Sequence, residues 1–106
     1  MILASTDDLA GWKIVEVLGL VKGNTVRARH IGQDLIAIMR NMIGGEVYNY
    51  TKLIAESREQ AIDRMVAQAE TMGANAIVAV RLITASLMQG SCELLAFGTA
   101  VKIVKA

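Results

Sequence analysis

Two runs near the C-terminus, ANAIVAVRLITASLM at residues 74–88 and CELLAFGTAVKIV at residues 92–104, leave the chain few ways to fold. Ile77, Val78, Val80, Ile83, Thr84, Val101, Ile103 and Val104 supply β-branched side chains that favour strands. Only the polar QGS separates the runs, so they pair as an antiparallel hairpin. Both faces of each strand are largely apolar, which demands cover on both sides of the sheet. A single layer of helices covers one face, so the other must meet a second sheet or another subunit.

Upstream, Trp12 to Arg29 also reads as strand. Ile14, Val15, Val17, Leu18 and Val21 come first, and TVRAR alternates polar and small apolar residues. The intervening KGN carries turn chemistry, giving two short strands or one long strand bent at Gly19 or Gly23. Thr25, Arg27 and Arg29 then share one face and Val26 and Ala28 the other, one wet or paired and one packed. From Ile31 the period becomes helical: Ile31, Leu35, Ile38, Met39, Met42 and Ile43 form a stripe that Gly44 and Gly45 stop. A second helix follows, capped by Asn49 or Thr51 and ended by Gly73. Leu53, Ile54, Ala61, Ile62, Met65, Val66, Ala69 and Met72 line one side of it. The expected order is β-α-α-β-β, an α+β fold with an antiparallel sheet covered by helices, in one domain over residues 1–106.

Composition narrows function. Hydrophobic residues make up 54% of the 106, rich for a domain that buries roughly two thirds of its unfolded surface. That excess predicts apolar surface meeting another subunit. It does not predict a membrane span, because the longest run free of Asp, Glu, Lys and Arg is Leu82 to Cys92, well short of the ~20 residues required. The start MILASTDD lacks a basic segment and does not read as a signal peptide. One cysteine excludes an intrachain disulfide framework and fits a reducing compartment, so a cytoplasmic location is expected. Eleven basic residues interspersed with ten acidic ones give a net charge of +1, which argues against nucleic acid as a partner.

Three chemistries can be weighed. A closed zinc site needs four ligands, and His30 and Cys92 are the sole histidine and cysteine. In a ring, however, every subunit repeats Cys92 and Glu93 around the axis, and that thiolate could recruit a soft or divalent metal ion. The plainer reading of Cys92 is a small hydrophobe at a strand start. Arg27, Arg29 and His30, at a strand-to-helix joint, form a candidate anion site. Guanidinium forks and helix-end amides both suit carboxylate or phosphate. The plainer reading is pairing with carboxylates of a neighbouring subunit. No catalytic residue is assigned: the glycines form neither a P-loop nor GxGxxG, and Cys92 has a base only if the fold brings His30 to it.

The segments GLVKGNTVRARHIGQD, MIGGEVYNYTKLIAESREQAIDRMVAQAETMGANAIVAVR and ELLAFGTAV together resemble the YbjQ-like family of small bacterial and archaeal proteins labelled heavy-metal-binding. The resemblance covers nearly the whole chain. It implies a β-α-α-β-β subunit related in shape to dodecin subunits and assembled as a ring-like homopentamer. It also implies that the glycines of GGE and GTA serve a helix end and a close strand approach. After Arg81 family members commonly read Phe-Asp or Tyr-Asp, whereas this chain reads Leu82, Ile83 and Thr84, losing an acidic ligand. The expectation is a non-enzymatic homo-oligomer with a metal ion or small ligand at its subunit interfaces. A carrier or storage ring for a small anionic metabolite is the alternative, and an enzyme using Cys92 and His30 is third.

Overall fold

In the computed structural model, residues 1–27, 46–88 and 91–106 are described. They form β1 (Ile2–Leu3), β2 (Trp12–Arg27), α1 (Glu46–Thr71), β3 (Ala76–Met88) and β4 (Ser91–Lys105). One four-stranded sheet has the order β1-β3-β4-β2, with α1 packed mainly over β2 and β4. The fold is α+β. The expected hairpin is present, β3 and β4 pairing from Ala76 opposite Val101 to Met88 opposite Ser91. The helix expected from Ile31 to Ile43, with Gly44 and Gly45 after it, lies outside the described residues.

α1 forms where the apolar spacing of three and four residues predicts it. Ala61, Met65 and Ala69 are fully buried, with Ile62, Val66 and Met72 half-buried beside them. Glu56, Glu59, Asp63, Arg64 and Glu70 are exposed. Its start differs from the expectation: the helix begins at Glu46, so Asn49 and Thr51 lie within it and not at its N-cap position. Between Gly45 and Thr51 no glycine or proline opposes helix, so it extends to the residue after the glycine pair. Its end is as expected. Gly73 has φ of 82°, its N–H donates to the Glu70 carbonyl at 3.0 Å, and the Ala74 N–H donates to Ala69 at 3.1 Å. This paired closure is a Schellman motif.

β2 is one long strand whose register shifts between Ile14 and Glu16 and between Val17 and Gly19. Gly19, with φ of 135°, marks the bend. KGN is not a turn but the middle of the strand. Gly23 is glycine because α1 lies directly upon it: a β-carbon there would collide with the Ala61 carbonyl and the Met65 amide, and would lie 2.8 Å from Arg64 Cβ. Gly98 of GTA is the second close approach, where a β-carbon would sit 2.8 Å from Ile77 Cγ2 and 3.0 Å from the Val78 carbonyl. The expected facing of the next residues is reversed in polarity. Thr25 is buried under α1 and donates to the Ser57 carbonyl at 3.2 Å, whereas Val26 is 53% exposed. With its hydroxyl satisfied, a threonine packs where a valine was expected.

The sheet has a core on each face. Under α1, Val21, Met65, Ile77, Ala96 and Ala100 pack with Ala61 and Ala69. On the opposite face Ala76, Val78, Val101 and Ile103 pack with Ile2, Leu9, Trp12 and Ile14. The N-terminal segment therefore supplies part of the second cover, through the short strand β1 running parallel to Ala76 and Ile77. Where β1 ends, β3 bulges: Ala79 takes φ of 54°, and the Ala79 and Val80 N–H groups donate to the Thr6 and Ala4 carbonyls. Asn75 joins the sheet through its side chain, accepting from Ile103 N at 2.8 Å and donating to Ile103 O at 2.9 Å. Asn75→Ala leaves both backbone groups without that partner, and denaturant titration is expected to show a loss of about 1–3 kcal/mol.

Candidate functional site: the open face of the sheet

Past the bulge and the N-terminal cover, the face opposite α1 continues with no described segment above it. The register assigns its residues. Leu20, Lys22, Asn24 and Val26 of β2 stand opposite Thr99, Phe97, Leu95 and Glu93 of β4, and Arg81, Ile83 and Ala85 of β3 stand opposite Phe97, Leu95 and Glu93. Leu20 is 67% exposed and Ile83 48% exposed, while Leu95 and Phe97 between them are half-buried. Polar groups cross this patch. Asn24 Nδ2 donates to Glu93 Oε2 at 3.2 Å, and Arg81 Nη1 donates to the Ser5 carbonyl at 2.7 Å. An apolar centre with a few fixed polar groups is the make-up of an interaction surface.

The sequence candidates fall at the hairpin end of this sheet. Arg27 is the last residue of β2 and its register partner is Cys92; Cys92 also stands opposite Ser86. Residues from the expected anion site and the expected metal site are thus placed side by side, at the ~5 Å spacing of directly opposed strand positions. Glu93 is half-buried and its carboxylate is engaged by Asn24. Arg29 and His30 lie outside the described residues. Among the described residues, no group of three or more His, Cys, Asp and Glu could hold a metal ion. Every buried side-chain nitrogen or oxygen among them has a hydrogen-bond partner. The described donors of one chain therefore do not fit a metal centre.

Sequence reasoning missed what Arg64 and Gln68 do. Four residues apart on α1, they reach over the outer edge of β2, where Arg64 Nη1 donates to the Asn24 carbonyl at 2.5 Å and Gln68 Oε1 accepts from Lys22 N at 2.7 Å. In the sequence both look like ordinary members of a solvated helix face. Among the described residues no helix is long and apolar enough to cross a membrane.

Comparison with known proteins places this arrangement. A family model described as "Putative heavy-metal-binding" matches residues 1–104. A UPF0145 protein of Dehalococcoides mccartyi is 54% identical over 95% of this chain and 97% of its own length. UPF0145 proteins of Pseudothermotoga lettingae and Methanosarcina acetivorans are 50% and 49% identical, covering 99% and 98% of this chain and the same shares of their own. Among solved structures, a protein of unknown function of the DUF74 family from Pediococcus pentosaceus matches with a TM-score of 0.65, covering 98% of both chains at 13% identity, a likeness of fold. With the family model spanning almost every residue and relatives near half identical along their whole length, the chain belongs to the YbjQ family of UPF0145 proteins.

Proposed function

We propose that this protein is a non-enzymatic subunit that assembles with copies of itself by burying the open face of its sheet. The observation that carries this reading is the exposed row Leu20, Val26 and Ile83 around Leu95 and Phe97. Exposed apolar patches of this kind mark places where another surface belongs. The elongation of the chain supports it: the radius of gyration is 17.3 Å, against about 13 Å for a compact domain of this length. Closure into a pentameric ring is the arrangement that the family resemblance favours. Assembly would also bring together several copies of Cys92 and Glu93, supplying in one place the thiolates and carboxylates that a metal ion needs and one chain lacks.

Native mass spectrometry tests this directly. Wild-type protein is expected at a fixed multiple of the 11.4 kDa chain. Leu20→Glu with Ile83→Glu would bury unpaired carboxylates in the contact, weakening it at least about tenfold, or ~1.4 kcal/mol, and releasing folded monomer. A wild-type protein that stays monomeric at micromolar concentration would overturn the proposal. Metal analysis of the same assembled sample separates a metal-holding ring from an empty scaffold.

A further inference from the structure

Among the described residues β2 is the outermost strand of the sheet, with only β4 beside it. It is sixteen residues long and carries Val15, Val17, Leu20 and Val26, each more than half exposed. A long exposed apolar edge strand is a template on which another strand adds through its free N–H and C=O groups. Lys22 and Asn24 occupy alternate positions and turn backbone groups away from β4, and α1 has already filled two of those groups. Gln68 takes the Lys22 N–H and Arg64 takes the Asn24 carbonyl. The spacing matches, because four helix residues rise about 6 Å and two strand residues about 6.8 Å. The pair presents one acceptor and one donor at the places where an incoming strand would present its own.

We propose that Arg64 and Gln68 are an edge lock: they stop β2 of a second copy of this chain from pairing antiparallel with β2 of the first. Such a pairing is two-fold and self-complementary, so any free β2 edge could enter it. Gly23 is what lets the lock reach. By admitting α1 to within touching distance of the strand, it brings residues 64 and 68 over the edge. Copies are then left to meet through surfaces other than this edge, and the lock acts whether or not the open face assembles.

The test is the double variant Arg64→Ala, Gln68→Ala, examined by native mass spectrometry beside wild type at matched concentrations. Both residues are exposed, so circular dichroism is expected to show α1 intact. The expected result is a new species of twice the wild-type mass. It should disappear when Lys22→Pro is added, because proline has no N–H to offer and its ring obstructs the edge. A folded double variant with the wild-type mass distribution, or a doubled species that survives Lys22→Pro, overturns the proposal. If the double variant fails to fold, Gln68→Ala alone serves, read by hydrogen exchange at the Lys22 amide. Protection that returns as protein concentration rises supports strand addition, and exchange equally fast at every concentration refutes it.

Discussion

Gly23→Ala is expected to be the most damaging single-methyl change in the described fold. The new β-carbon has no free volume, since the Ala61 carbonyl and Met65 amide already occupy its position and Arg64 Cβ is 2.8 Å away. Two of those three neighbours are helix backbone, which cannot rotate aside as a side chain can. Relief requires α1 to lift from β2, which opens the contacts of Val21 and Met65 and pulls Arg64 and Gln68 off the strand edge. Overpacking in cores costs typically 1–3 kcal/mol, and a clash against backbone belongs at or above the top of that range, about 3 kcal/mol or more. Against a total stability of roughly 5–15 kcal/mol, a shift of that size moves a denaturation midpoint far. Gly11→Ala is the control, because no atom lies within 4 Å of its β-carbon and only the strain of φ near 82° remains. A midpoint shift for Gly23→Ala no larger than for Gly11→Ala would show that α1 is not seated on the strand.

Met65→Ala is expected to rival it. Met65 is fully buried at the centre of the core beneath α1, and its neighbours include Ala61, Ala69, Ala96 and Ala100. Truncating a buried methionine costs about 2–5 kcal/mol, and where the loss falls depends on how well the site collapses. Alanine neighbours have no side-chain rotation with which to fill a void, so the upper half of that range is expected. Met65→Leu, nearly equal in volume, should lose less than about 1.5 kcal/mol in the same urea titration. Equal losses for the two variants would mean that the thioether, not its volume, matters at this position.

The sequence showed the parts of this fold that rest on local regularity. The stripe through Ala61, Met65 and Ala69, the Gly73 ending and the pairing of β3 with β4 all follow from spacing and turn chemistry within a few residues. β1 did not show, because two residues carry no period and Ile2–Leu3 become a strand only by pairing with Ala76 and Ile77, far along the chain. Gly23 was ambiguous for a different reason: glycine serves equally as a bend or as room for a neighbour, and the neighbour is a helix forty residues away. Thr25 and Val26 invert the facing that polarity alone suggests, because the Ser57 carbonyl that satisfies Thr25 lies on a helix far along the chain. The candidate site fared similarly. Arg27 and Cys92 are candidates for separate reasons, and only the strand register makes them neighbours.

Around Val21, Met65 and Ile77, the contact between α1 and the sheet is made with small residues: Gly23, Ala61, Ala69, Ala96 and Ala100. A seam of this kind acts as a size filter. Substitutions at its tightest point, Gly23, are rejected by bulk whatever their polarity, so serine is refused there much as leucine is. The open face filters by the opposite property, since Leu20, Val26 and Ile83 have room on the outside and discriminate by affinity for water. The two sides of one sheet, a few ångströms apart, are thereby held to different rules of change: one limits volume, and the other selects chemistry.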